Sequence, residues 1–222
     1  MAYAAGHRDQ VKGKIVDSAR RLFNRHGFDS VSVDQIMAGA GLTRGGFYSY
    51  FDSKSDLYAE VLGCFFTDPD WKNCWEGVEV DIASSQAAPQ VVRAYLSQQH
   101  FDDVENSCPM VALPGDVMRS DGRAKLAFET VFAAMVSVLE RGMPPDMDAG
   151  SPDGRHSLAQ ATAALCVGGM VVARAMQNRA SADQLRASCM AVAFKLGSWD
   201  AQPGTHTGGA KNSAADLAAA NS

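Results

Sequence analysis

The chain reads as an all-α protein, with an N-terminal helix-turn-helix domain of three or four helices at 8–68, a larger helical domain at 69–200 and a disordered tail at 201–222. Three observations predict this. Apolar residues recur at helical steps along most of the chain, and no convincing alternating strand interrupts them. Two short helical stretches within the first 65 residues are joined by a tight turn containing glycine, which is the helix-turn-helix pattern. The segment from Ala201 is rich in Ala, Gly, Ser and Asn and has too little apolar surface to pack.

In 9–26, Val11, Ile15, Ala19, Leu22 and Phe23 form one apolar stripe, and Gly27 is placed to end the helix in a left-handed turn. Ser32 then reads as an N-cap with Gln35 closing a capping box, and Val33, Ile36 and Met37 face inward before Gly39 or Gly41 ends the helix. Thr43 is the next N-cap. After a run of aromatics, Ser53 caps a further helix with Asp56 three positions on and Leu57, Val61 and Leu62 on one face. These four helices are predicted to run for roughly 17, 8, 8 and 13 residues.

Beyond Phe66 the chain remains helical. Residues 90–103 read as one helix. Pro114-Gly115 implies a kinked helix or two short ones, 123–141 a helix, and 143–154 a loop. Two helices follow at about 155–178 and 182–198.

Composition narrows the function. The net charge is −5, but residues 1–55 hold eight Lys/Arg against five acids, while the rest holds twelve against twenty. A head of +3 on a body of −8 permits a local phosphate-binding face. Five cysteines without a CxxC fit neither a disulfide framework nor a zinc site and imply free thiols in a reducing compartment. No basic-then-apolar leader is present, so the chain is expected to be cytoplasmic. The longest apolar run, Ala163 to Ala173, is too short to span a bilayer, so no membrane association is expected.

The stretch TRGGFYSYF, 43–51, sets two glycines and an arginine before four aromatics. A recognition helix lies in the major groove with its first residues at the base edges. Thr43 would cap it and offer a hydroxyl. Arg44 could fork onto guanine O6 and N7. Gly45 and Gly46 would let the backbone approach the duplex. Phe47 and Phe51 would anchor it in the core, Tyr48 would reach a phosphate, and Lys54 would meet another at the start of the next helix.

VDSARRLFNRHGFDSVSVDQIMAGAGLTRGGFYSYFDSKSDLYAEVL closely resembles the DNA-binding region of the tetracycline-repressor (TetR) family. The landmarks are Ala19, Leu22, Phe23, Gly27, Ile36, Ala40, Gly41, Phe47, Tyr48, Phe51, Lys54 and Leu57, about a quarter of the chain being covered. The resemblance implies a homodimeric regulator that binds double-stranded DNA at a palindromic operator. Its expected contacts are Ser32, Thr43, Arg44, Gly45, Gly46, Tyr48 and Lys54. The larger domain would bind an unknown small-molecule inducer and carry the dimer interface.

Under the same resemblance the last two helices would pair with their copies as a four-helix bundle. Leu165, Gly168, Gly169, Val172, Met190 and Phe194 are its candidate contacts. Trp75, Tyr95, Phe101, Phe128 and Phe132, with Phe65, Phe66 and Trp71, are apolar candidates for an effector pocket. Cys108 precedes Pro109, which suits a first helical position. Cys108 would then be an N-cap whose thiolate the helix dipole favours, a candidate oxidant or electrophile sensor. Structural packing at a helix start is the alternative.

An enzyme is disfavoured. There is no GxSxG, GxGxxG, P-loop or HExxH, and the five histidines show no ligand spacing, so no catalytic residue, metal or cofactor is expected. A helical protein-interaction module without DNA function is the remaining alternative.

Overall fold

The first helix starts further back than the sequence implied. In a computed structural model describing residues 2–64, 80–145 and 154–199, α1 runs Ala2–His26 rather than starting at residue 9. Its inward residues Ile15, Ala19 and Phe23 are fully buried, and Gly27 ends it at φ +78°. Next, α2 (Val33–Gly39) opens with the predicted capping box, Ser32 and Gln35 satisfying each other's backbone N–H groups. Gly41, at φ +72°, turns the chain towards the next element.

The third element is a 3-10 helix, Arg44–Ser49, not the longer α-helix expected. Two glycines near its start weaken an α-helix, by about 1 kcal/mol each relative to alanine, and the segment takes the tighter 3-10 geometry over six residues, longer than most such runs. The fourth, α3 (Lys54–Cys64), starts where the Asp56 N–H donates to Ser53 Oγ at 3.0 Å, as the spacing predicted.

The body contains α4 (Ala87–Tyr95), α5 (Gln98–Asp102), α6 (Pro109–Ala112), α7 (Pro114–Arg119), α8 (Gly122–Arg141), α9 (Gly154–Ala175) and α10 (Arg179–Leu196). The single helix expected at 90–103 is two. Ser97 caps α5 by accepting from the His100 N–H, while the carbonyls freed at the break receive His100 Nδ1 (at Tyr95) and Arg186 Nη1 (at Leu96). Leu113 separates two short helices, so Pro114 starts a new helix instead of kinking one. No strand occurs among the described residues. The boundary expected at 68/69 and the tail from 201 fall outside those residues.

Two apolar cores result. One gathers Ile15, Phe23, Ile36, Phe47, Leu57 and Tyr58, and borrows Leu113, Val117 and Ala124 from α6 to α8. The other fills the space between α4, α8, α9 and α10. The helix-turn-helix unit is therefore built partly on residues of the body, which its sequence signature did not reveal.

The segment 103–107 ties the two together. Asn24 Nδ2 donates to the carbonyls of Glu105 and Ser107, Arg20 to Glu105 O and Asn106 Oδ1, and Arg25 to the Glu105 carboxylate. From the other side Arg174 of α9 donates to Ser107 Oγ and to the carbonyls of His100, Phe101 and Asp103. By length and composition α9 could cross a membrane, although the apolar run within it is shorter. Here it packs between α8 and α10, as a core helix does.

Candidate nucleic-acid interface

Phe47, fully buried, and Phe51, 3% exposed, pin the 3-10 segment to the core, their ring centroids 5.7 Å apart. With those anchors sunk, the remaining positions are turned outward. Thr43, Arg44, Gly45 and Tyr48 are all exposed, Tyr48 at 63%. Residues i and i+3 eclipse in a 3-10 helix, so Gly45 stands beside Tyr48 on one outward edge.

The two glycines differ. A Cβ on Gly45 would meet nothing within 4 Å, whereas one on Gly46 would lie 3.6 Å from Met37 Cε of α2. Neither has positive φ, so the backbone does not demand glycine at either place. The bare edge belongs to Gly45; Gly46 faces the neighbouring helix.

Thr43 occupies the N-cap position but makes no side-chain capping bond, contrary to the expectation that it caps, so its hydroxyl stays available. Ser32 is spent on its capping box, both backbone and hydroxyl engaging Gln35. Arg44 is held by Asp34 of α2, Nη1 to Oδ2 at 2.9 Å, both side chains more than half exposed. Asp34 was not among the sequence-predicted residues, since a partner ten positions away on another helix leaves no local signal. Arg8 was also missed as a contact: its Nη2 donates to Ser49 O at 2.7 Å and its guanidinium lies over Tyr50, bracing the far end of the segment.

Lys54 departs from expectation. Its ammonium donates to the carbonyls of Phe28 and Val31, both at 2.9 Å, and sits 4.2 Å from the Phe28 ring centroid. Carbonyl oxygens left over after α1 take the charge, so Lys54 braces the α1–α2 turn against α3 rather than projecting freely.

On the outward side of α9 and α10, Ala164, Gly168 and Val172 are exposed, as are Ala187, Ala191 and Val192, an apolar strip without charge. Leu165, Met190 and Phe194 are half-buried, packed against the body core; Phe194 also lies under Arg93. Gly169 is buried inside the protomer: a Cβ there would come within 2.7 Å of Cys189 Sγ. Of the glycine pair only Gly168 lies on the strip, a correction set by the phase of the helix.

Tyr95 is buried, while Phe128 and Phe132, one turn apart on α8, are half-buried. Phe101 is covered by the guanidinium groups of Arg179 and Arg186, 4.8 and 4.6 Å from its centroid. Trp75, with Phe65, Phe66 and Trp71, lies outside the described residues. Cys108 does stand at the N-cap of α6 before Pro109. Its thiol, however, is fully buried, and burial pushes it up to about 12, opposite to the lowering expected from the helix end. Four residues make too short a helix to offset that desolvation. The reactive-thiolate reading is therefore corrected.

Residues 15–61 match the family model for bacterial regulatory proteins of the tetR family. A regulator from Shigella flexneri, the HTH-type transcriptional regulator AcrR, is 42% identical over 52 residues, 23% of this chain and 24% of that protein. The negative transcriptional regulator IcaR of the biofilm operon icaADBC in Staphylococcus aureus (strain Newman) is 34% identical over 56 residues, 25% of this chain and 30% of that protein. These matches thus span under a third of each relative's length.

Two solved structures share the wider fold. The reduced form of Escherichia coli NemR superposes with a TM-score of 0.64 at 15% identity, over 84% of this chain and 96% of that one. The SmeT–triclosan complex does so with a TM-score of 0.56 at 17% identity, over 84% and 90%. The family match falls on α1 to α3 and the outward edge between them, and this part of the chain is similar to the bacterial regulatory proteins of the tetR family.

Proposed function

We propose that this chain is a sequence-specific, DNA-binding transcriptional regulator: a cytoplasmic homodimeric repressor, released from a palindromic operator by a small-molecule inducer. The observation that carries the proposal is the outward edge of Thr43, Arg44, Gly45 and Tyr48, anchored from behind by Phe47 and Phe51. A groove reader needs donors and bare backbone on a rigid support, and this edge has both.

In this reading Arg44 contacts a base, Thr43 and Tyr48 contact phosphates, and Gly45 lets the backbone approach. Gly46, Ser32 and Lys54 hold the geometry, Ser32 by capping α2 and Lys54 by fixing the turn before it. Two half-sites about one DNA turn apart require two copies of the edge. The uncharged strip of α9 and α10, with Gly168 and Val172 at its centre, is the surface by which the copies join. Leu165, Met190 and Phe194 support it from beneath.

An inducer in the body would act on α1 through the segment 103–107, which Arg174 grips from one side and Asn24 from the other. SmeT, whose complex with triclosan has the same fold, supports a small-molecule effector here. Phe128 and Phe132 are the candidate contacts. The burial of Cys108 favours a reversibly bound effector over a thiol-modifying one.

The test is operator selection by the purified chain followed by affinity measurements over all single-base variants. Arg44→Ala should lose about 1–3 kcal/mol of discrimination at one base position in each half-site. Lys54→Met, on the geometry above, should weaken all duplexes alike and lower stability. A uniform loss for Arg44→Ala would remove its base-reading role. Equal binding to operator and random DNA would favour the interaction-module alternative.

A further inference from the structure

A cavity of about 270 Å³ opens between the two units, apart from the body core and from the outward edge. One wall is the α1–α2 turn and α3, with Phe28, Asp29 and Tyr58; the other is α7 and the start of α8, with Asp116, Arg119 and Asp121.

Tyr58 marks it as more than a packing gap. The residue is 1% exposed, and its hydroxyl has no hydrogen-bond partner. Its ring is fixed by Phe23 at 5.4 Å and Phe28 at 4.7 Å. Phenylalanine would pack the same way without leaving a buried hydroxyl unpaired, a loss that folding alone does not explain.

The surroundings define what the hydroxyl awaits. Three carboxylates and one guanidinium line the cavity, a formal excess of two negative charges. Arg119 is committed to Asp116 at 2.7 Å, and Asp116 also accepts from the Phe28 N–H at 2.8 Å. Asp121 caps α8 by accepting from the Arg123 and Ala124 N–H groups. Lys54, over the Phe28 ring, is spent on two carbonyls. Asp29 is exposed at the mouth and enters no hydrogen bond or ion pair. Acceptors therefore outnumber donors, and the aromatic faces of Phe28 and Tyr58 suit a cation. The volume lies at the small end of ligand sites.

We propose that this cavity is a binding site for a small organic cation bearing a primary ammonium. The ammonium would donate to Asp29 and to the Tyr58 oxygen, with the carbon chain against Phe28. Since the walls come from both units, an occupant would fix the helix-turn-helix unit to the body.

The experiment uses the full chain and n-butylammonium chloride as probe, with 1-butanol, sodium butyrate and sodium chloride as controls at matched ionic strength. Binding is followed by saturation-transfer NMR and by the thermal unfolding midpoint. The expected result is saturable binding and a raised midpoint with the ammonium alone, about tenfold weaker in Asp29→Asn and in Tyr58→Phe. Unliganded Tyr58→Phe should unfold at a midpoint no lower than wild type. An equal response to all four solutes, or undiminished ammonium binding in both variants, would overturn the site. So would a lowered midpoint for unliganded Tyr58→Phe, because the hydroxyl would then be satisfied within the fold.

Discussion

Gly45-Gly46 and Gly168-Gly169 are the same dipeptide in two different helices, and the fold treats them in parallel. In each pair the first glycine faces open space, with nothing within 4 Å of where a Cβ would stand. The second faces a neighbouring helix. At Gly46 the neighbour is Met37 Cε, 3.6 Å away, an ordinary contact with room for a methyl group. At Gly169 it is Cys189 Sγ at 2.7 Å and Cβ at 3.1 Å, where no methyl group fits. A glycine pair in a helix thus announces close approach without saying which residue makes it. Helix phase decides which glycine turns inward, and the neighbour decides whether glycine is obligatory.

The comparison ranks substitutions by their effect on the single folded chain, and Gly169 comes first. Gly169→Ala should gain about 1 kcal/mol of helix propensity. Overpacking costs about 1–3 kcal/mol, and with Sγ and Cβ of Cys189 both inside ordinary contact distance the cost falls in the upper part of that range. The net change is therefore destabilising by about 1–2 kcal/mol, and Gly169→Leu should be worse. Urea unfolding measures both. In a double-mutant cycle Cys189→Ala should recover part of the loss, since the two residues touch. An unchanged midpoint for Gly169→Ala would mean that α9 and α10 separate easily, and the contrast between the pairs would fail.

Gly168 is the intermediate case. A Cβ there would meet nothing within 4 Å, and the position is exposed, so with a glutamate the protomer should keep its helix content. On the uncharged strip of α9 and α10 it would place an unpaired ion in the proposed interface, and burying one is strongly unfavourable. Sedimentation of Gly168→Glu should therefore show a folded monomer. An intact dimer would move the interface off this strip, whereas an unfolded chain would mean that Gly168 is packed as tightly as Gly169.

What the sequence made legible follows the range of the interactions. The capping box of Ser32 and Gln35, the left-handed Gly27 and the N-cap position of Cys108 before Pro109 all depend on residues within a few positions, and each was readable. The partners of Lys54 lie 23 and 26 positions away, and Arg174 reaches back 67 positions to Ser107; nothing local announces either. Cys108 shows the limit most clearly. Its helix position was readable, but its chemistry was set by burial among distant elements, which reversed the expected direction of the thiol shift. In the recognition segment the burial of Phe47 and Phe51 was legible from spacing, whereas the 3-10 geometry that pairs Gly45 with Tyr48 was not.

The smallest structural effect is expected in the recognition segment, and there the test separates folding from function. Gly46→Ala adds a methyl group at ordinary contact distance from Met37, so stability should hold or rise by up to about 1 kcal/mol. Operator affinity should stay near wild type because the methyl group points at α2. Gly45→Leu should fold equally well, since no atom of the chain lies within 4 Å of its Cβ. Its side chain would stand beside Tyr48 on the outward edge and hold the backbone off the duplex. A tenfold or greater loss of operator affinity, about 1.4 kcal/mol, is the expected reading in a fluorescence-anisotropy titration at fixed salt. Unfolding midpoints taken on the same samples establish that the loss is not one of stability. If Gly45→Leu binds as wild type, the bare edge has no part in recognition. If Gly46→Ala loses as much as Gly45→Leu, the segment must rotate on the duplex to bring Gly46 outward, and the assignment of the pair reverses.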